Sequence, residues 1–381
     1  MLRLNNPFLF LVVGDQSGPQ QLLILRIKMS LKHFLCSLLI LFSVTGCASN
    51  QEKTPLVVFA AGSLIVPMDE VEKEFERLHP DIDVRTEYHG SIQVIRHSSE
   101  LNEPIDVVLS ADYALIPMLM YDQLEPESNQ PYANWSCKFA SNRMGLAYTD
   151  RSRYADEINS DNWYEVLARK DVRVGLSDPR FDASGYRTLM IIKLAEKDYG
   201  KEGIFAQVFN GEFTQPLRDL DRDTKAIILV PEILETRTGS HIYMRGSSVQ
   251  LISLLEAGDI DYAFEYESVI KQHGLREVVL PASLDLGDSA FEQVYNQVEV
   301  KLDFRRFSSV EPIFNGERIA YGATIPVNAP NPDLAAEYLA FLFGDQGREI
   351  MGRNFHPILD PIACDGYENT PNLLQELIER E

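Results

Sequence analysis

The sequence LVVFAAGSL, residues 56–64, decides the fold because it joins a buried strand to a helix. Its first six residues are all apolar, which is typical of a parallel strand covered on both faces. Gly62-Ser63 forms the connection, and from Leu64 to Leu78 the apolar residues recur at spacings of four, three, four and three. That spacing predicts a helix, which ends before Pro80.

The same alternation of strands and helices continues along the chain. Residues 200–225 are polar and receive no assignment. The alternation predicts an α/β protein with parallel sheets. Strands are predicted at 82–88, 105–109, 144–148, 172–176, 261–266, 278–280, 298–302 and 319–327, and helices at 186–197, 249–255, 334–343 and 345–353.

A chain of 381 residues is too long for one ordinary domain, so two domains or two lobes are expected. We predict that residues 55–141 and 284–381 form lobe 1 and that residues 142–283 form lobe 2. Clefts between such α/β lobes, at the carboxyl ends of strands, are common ligand sites.

Composition excludes several classes of protein. Hydrophobic residues make up 45% and charged residues 24%, which excludes a chain that is mainly disordered. The formal net charge is −22, whereas nucleic-acid-binding proteins usually carry a positive surface. We therefore expect no nucleic-acid partner.

The N-terminus carries the pattern of a secretory signal. An apolar stretch at 34–44 follows Lys32, and small residues lead to Cys47. Val44-Thr45-Gly46-Cys47 resembles a bacterial lipobox, in which the cysteine is lipidated; the alternative is an uncleaved anchor with a chance cysteine. We predict a signal region at 1–46 with its true start at Met29, a lipidated tether at 47–54, and a protein anchored by lipid at the periplasmic or cell surface.

Two further cysteines, Cys137 and Cys364, lie in the mature chain. They could form a disulfide in an oxidising compartment, or both could be buried free thiols. Their spacing does not match a zinc site.

Two Gly-Ser pairs each follow a predicted strand and precede a predicted helix: Gly62-Ser63 and Gly90-Ser91. Backbone N–H groups, a hydroxyl and the positive end of a helix dipole would suit an anion there. Simple helix capping is the alternative.

Two other segments carry acidic residues that could take part in a site. Asp182 lies in SDPRFDASGYR (177–187), where it could bind a ligand or cap a helix. Glu265 lies in DYAFEYE (261–267), where an alternating strand would often leave such a carboxylate in solvent.

Short matches to a penicillin-interacting serine enzyme, at 160–162 and 268–271, stand in the wrong order and are interpreted as chance. The chain has no Walker loop and no zinc-protease motif. We expect a protein that is not an enzyme and that has no cofactor.

Five segments together resemble a known family. In order they are LVVFAAGSL (56–64), Gly90-Ser91, SDPRFDASGYR, DYAFEYE and YGATIPVNAP (321–330). They resemble the tungstate/molybdate-binding proteins of ABC importers, in their archaeal-type branch. The resemblance implies a type II periplasmic binding fold, in which two α/β lobes joined by crossing strands enclose a cleft. It also implies a monomeric protein that delivers its solute to a permease and an ATPase.

The resemblance also implies roles for individual residues. Ser63 and Ser91 would hold the oxygens of the oxyanion, while Asp182 and Glu265 would place carboxylate oxygens on the tungsten or molybdenum itself and raise its coordination from four toward six. The family's Asp-Pro-Cys-Gly-Tyr-Arg is Asp182-Ala-Ser-Gly-Tyr-Arg187 here, and we expect a structural role for Arg187. Sulfate or ferric iron, the latter bound by tyrosines such as Tyr262, Tyr266 and Tyr295, are the alternative ligands.

Overall fold

The computed structural model of the protein describes residues 53–221, 225–303 and 312–381. Strand β1 (Thr54–Ala61) is the buried strand that the first apolar run predicts. It lies in a seven-stranded first sheet and runs parallel to both of its neighbours, β2 (Ile82–His89) and β3 (Val107–Ser110). Beyond β3 each strand runs antiparallel to the one before it, except the last, which runs parallel to its neighbour. In spatial order the remaining strands are β14 (Ala320–Thr324), β4 (Ser136–Ser141), β15 (Ile358–Asp365) and β16 (Glu379–Arg380).

Helices cover the first sheet. Helix α1 (Ile65–Leu78) packs against β2, and α2 (Ser91–Ser99) packs against β1 and β3. The short α3 (Leu115–Met120) contacts β14. Helices α10 (Pro332–Phe343) and α11 (Asp345–Arg353) both pack against α1, which places the C-terminal part of the chain beside its beginning.

The second sheet has five strands, and the chain enters it from β4 through Asn142 and Arg143. Its central strand is β10 (Tyr262–Tyr266), antiparallel to β5 and parallel to β6. The other strands, from one edge to the other, are β11 (Arg276–Val278), β5 (Met144–Tyr148), β6 (Val174–Ser177) and β9 (Ile242–Arg245).

A third sheet of four strands was not predicted. It pairs β8 (Ala226–Pro231) in parallel with β12 (Val298–Asp303), flanked by β7 (Arg218–Asp221) and β13 (Ile313–Asn315). The chain after residue 284 thus contributes strands to the first and third sheets. The predicted lobe boundaries stay predictions.

Helix α5 (Ala183–Asp198) lies between the second and third sheets, contacting β6 and β10 in one and β8 and β12 in the other. Every residue from Ala183 to Ala195 is buried, as expected of a helix with neighbours all round. The remaining helices of this part are α4 (Trp163–Leu167), α6 (Ile204–Phe209), α7 (Val249–Ala257), α8 (Glu267–Gln272) and α9 (Glu292–Tyr295).

The predicted α/β class is therefore confirmed. In the described part of the chain, no helix has both the length and the apolar composition needed to cross a membrane. The predicted signal region 1–46, the start at Met29 and the lipidated Cys47 lie outside the described residues, as does the tether except for Lys53 and Thr54.

Cys137 and Cys364 form a disulfide, which resolves the alternatives that the sequence left open. They face each other across the antiparallel strands β4 and β15, with their Cα atoms 4.0 Å apart. Both are fully buried. The bond closes a sequence separation of 227 residues.

Replacing both cysteines with alanine should lower the free energy of unfolding by about 2–5 kcal/mol, because the unfolded chain gains conformations that the cross-link forbids. Urea unfolding of residues 48–381, with and without reductant, measures this. Reductant should destabilise the wild type and leave the alanine variant unchanged. Two reactive thiols in the denatured, unreduced wild type would contradict the pairing.

Candidate functional site

Two buried carboxylates define the candidate site. Asp182 follows β6 by a tight turn and caps α5, where its Oδ1 accepts a long hydrogen bond of 3.4 Å from the backbone N–H of Ser184. Glu265 lies on β10, the central strand of the second sheet. Their exposed fractions are 5% and 1%. The expectation that a carboxylate at position 265 would be solvated is wrong, because β10 has strands on both sides and helices packed against it.

Ser248 joins the two carboxylates. Its backbone N–H donates to Asp182 Oδ2 at 2.6 Å, and its hydroxyl donates to Glu265 Oε1 at 3.1 Å. It is the N-cap residue of α7, so the positive end of that helix faces both acids. Ser248 was missed in the sequence, although Gly246-Ser247-Ser248 also stands between a strand and a helix and so repeats the pattern that drew attention to Ser63 and Ser91.

The two oxygens of Glu265 differ in their surroundings. Oε1 accepts hydrogen bonds from Ser248 and from the backbone N–H of Tyr266, the latter at 2.8 Å. Oε2 is buried and has no hydrogen-bond partner among the described residues. A buried oxygen left unpaired is costly, so Oε2 is the atom of this site best suited to an incoming ligand.

The first sheet brings its two Gly-Ser pairs to the same place. A Cβ on Gly90 would lie 2.4 Å from the carbonyl oxygen of Phe181, the residue before Asp182. A Cβ on Gly62 would lie 2.8 Å from Val249, the residue after Ser248. Only glycine fits such close approaches, and they bring all four predicted site residues into one region between the first and second sheets.

Ser63 and Ser91 are both buried and each keeps a defined partner. The hydroxyls of Ser63 and Tyr321 lie 2.8 Å apart, and Asn142 donates to the same tyrosine oxygen. Ser91 Oγ accepts the backbone N–H of Ala111 at 3.0 Å. Since a hydroxyl can accept and donate at once, the Ser91 proton stays available for an oxyanion.

Arg187 supplies buried positive charge beside the acids. From α5 it donates to the carbonyl of Ala111 at 2.8 Å and to the hydroxyl of Tyr266 at 2.7 Å, and it forms an ion pair with Asp112 at 3.4 Å. Its links to the end of β3 fit the structural role expected of it.

Burial sets the protonation of the two acids. Burial raises the pKa of Asp182, against the hydrogen bonds from Ser248 and Ser184 and the charge of Arg187, which lower it. Burial also raises the pKa of Glu265 to about 8, with a further increase from the charge of Asp182. At neutral pH Glu265 is therefore mostly protonated, and a ligand that binds its carboxylate must displace that proton.

The donor set consists of carboxylate and hydroxyl oxygens and backbone N–H groups. Carboxylate oxygens suit hard Lewis acids, and N–H and O–H donors suit the oxygens of an anion. In the described part of the chain, no group of three or more His, Cys, Asp or Glu side chains is placed to hold a metal ion. The arrangement is suited to a species that combines a hard, electron-poor centre with anionic oxygens.

Solute-binding proteins match this chain over most of its length. The family model of the bacterial extracellular solute-binding proteins matches residues 56–355. An uncharacterised solute-binding protein of Methanoculleus marisnigri is 38% identical, with 91% of this chain and 96% of the relative covered. The molybdate/tungstate-binding protein WtpA of Pyrococcus abyssi is 34% identical, with 91% and 97% covered.

Two solved structures have the same fold. The periplasmic molybdate-binding protein of Azotobacter vinelandii aligns with a TM-score of 0.50 at 14% identity, over 79% of this chain and 98% of the other. A substrate-binding protein of an ABC transporter from Agrobacterium tumefaciens aligns with a TM-score of 0.50 at 15% identity, over 87% and 88%. The predicted periplasmic-binding fold with two lobes is confirmed. The chain belongs to the family of bacterial extracellular solute-binding proteins.

Proposed function

We propose that the protein captures tungstate or molybdate outside the cytoplasm and passes it to an ABC permease and its ATPase. The observation that carries the proposal is the pair of buried carboxylates, Asp182 and Glu265, with one carboxylate oxygen that has no hydrogen-bond partner in the part of the chain that the structure describes. The relatives described as molybdate/tungstate-binding, at 34% and 33% identity, support the same ligand. As a solute-binding component of a transporter, the protein would have no catalytic role.

In this proposal Asp182 and Glu265 bind the metal centre, and Ser63 and Ser91 bind its oxygens. Two carboxylates facing a dianion would repel it unless they bond to its centre. Hexavalent tungsten and molybdenum accept such oxygen donors and can expand their coordination toward six. Sulfate and phosphate do not, so the carboxylates would discriminate against these abundant anions.

Ferric iron bound through tyrosinate is less well supported. Burial raises the pKa of Tyr262, Tyr266 and Tyr295, which disfavours the phenolate form that iron would need. The hydroxyl of Tyr262 donates to the carbonyl of Arg153, and that of Tyr295 to the carbonyl of Ala282. These groups are engaged in holding the fold.

We further propose that Cys47 carries the lipid that anchors the protein, as a monomer, beside its transporter. The support is the lipobox-like sequence at 44–47 and the extracellular character of the family.

Asp182→Asn and Glu265→Gln should each weaken tungstate binding by about 100-fold or more, about 2.8 kcal/mol, since each loses an anionic bond to the metal. Calorimetric titration in buffer with millimolar sulfate and phosphate measures this. Asp150→Asn and Glu349→Gln, at exposed carboxylates, are the matched controls. Wild-type affinity in both site variants, or binding abolished by sulfate, would refute the proposed coordination.

Tungstate binding should release about one proton near pH 7, because Glu265 must ionise to bind the metal. Affinity should rise as the pH increases toward about 8 and level off above it. Titrations in buffers of different ionisation enthalpy count the protons. Glu265→Gln should release fewer, and an affinity independent of pH across this range would contradict the assignment.

Without ligand, Glu265→Gln should stabilise the protein at alkaline pH. The folded-state pKa of Glu265 is raised, so its contribution to stability is complete below the unfolded pKa and is lost as the pH rises through about 8. The gain in melting temperature over wild type should therefore grow from about pH 5 to about pH 9. A constant difference over that range would show that Glu265 ionises normally.

A further inference from the structure

We infer that Ser248 is the positioning residue of this site, which fixes both metal-binding carboxylates and turns Glu265 Oε2 toward the bound oxyanion. The inference rests on the proposed function and adds to it a residue that makes the coordination geometry possible. Ser248 does not itself bond to the metal in this assignment.

The first step of the argument is that one residue holds two acids from different elements. Asp182 precedes α5 and Glu265 lies on β10, so they are 83 positions apart in the chain. Ser248 contacts the first through its backbone N–H and the second through its hydroxyl. The distance between the carboxylates is thus set by a group only a few atoms across.

The second step concerns which oxygens remain for a ligand. The hydroxyl of Ser248 and the N–H of Tyr266 both occupy Oε1 of Glu265. Two donors on one oxygen fix the plane of the carboxylate, and Oε2 has no partner within residues 53–221, 225–303 and 312–381. With the hydroxyl removed, Tyr266 alone would hold Oε1, and the carboxylate could rotate about that single bond.

The third step is that Ser248 is itself held in place. It is 3% exposed, and its helix α7 packs against β6 and β10. The next residue, Val249, lies against Gly62, which directly follows β1. This contact links the Ser63 side of the site to the residue that aligns the acids.

The test compares Ser248→Ala, which removes the hydroxyl, with Ser248→Thr, which keeps it. Ser247→Ala is the matched control, because Ser247 is also buried, at 6% exposure, and its hydrogen bond with Gln250 uses its backbone carbonyl. Tungstate affinity is measured for each purified protein. X-ray absorption at the tungsten edge then counts the oxygen neighbours of the bound metal, a readout that mere structural support would not change.

For Ser248→Ala we expect affinity to fall about tenfold and competition by sulfate to increase. The number of long tungsten–oxygen contacts should fall from about two to about one, with Asp182 still held by the backbone N–H. Ser248→Thr should restore both properties, and Ser247→Ala should match wild type. If Ser248→Ala does not fold, Ser248→Cys, whose thiol is a weak donor, replaces it with the same expectation.

The outcomes separate this inference from the proposed function. A wild-type protein that does not bind tungstate, or binds it with four oxygen neighbours only, overturns the proposed function and the role of Ser248 with it. A wild type with six neighbours, together with a Ser248→Ala variant of equal affinity and equal coordination, overturns the role of Ser248 alone.

Discussion

The structure depends on placing two acidic side chains, Asp182 and Glu265, beside one serine in an environment that excludes water. Burial opposes ionisation of both Asp182 and Glu265, and the charge of Asp182 further opposes that of Glu265. The hydrogen bonds from Ser248 do not offset these effects fully. In the proposed function, the bound tungstate or molybdate is the partner that offsets this cost. Three features lie around the two carboxylates: the Gly-Ser turns that follow strands of the first sheet, the N-terminus of α7, and the buried Arg187.

The sequence predicted much of this arrangement because its signals are local. The apolar run before Gly62 and the alternation around Glu265 each specify a strand, and the carboxyl ends of neighbouring strands meet at one edge. Asp182 is a helix cap, one of the two interpretations that its position allowed, and it also faces Glu265 across Ser248.

What the sequence did not predict depends on contacts between distant segments. Strand β7 is short and polar, and it pairs in a sheet whose centre joins β8 to β12, about 70 residues later, so no local pattern identifies the third sheet. Ser248 does follow a glycine between a strand and a helix, but its link to both acids depends on segments that are distant in the chain. The burial of Glu265 likewise follows from the neighbours of β10, since alternation alone does not say which face is covered.

The disulfide gives the chain an unusual connectivity. Because β4 and β15 are adjacent, the bond between Cys137 and Cys364 joins the two ends of the long segment 137–364 within the first sheet. All strands of the second and third sheets lie within that segment. The segment that contains Asp182, Ser248 and Glu265 is thus closed into a covalent ring by the disulfide. If a protease outside the cell cut one peptide bond within this ring, the disulfide would still hold the two fragments together.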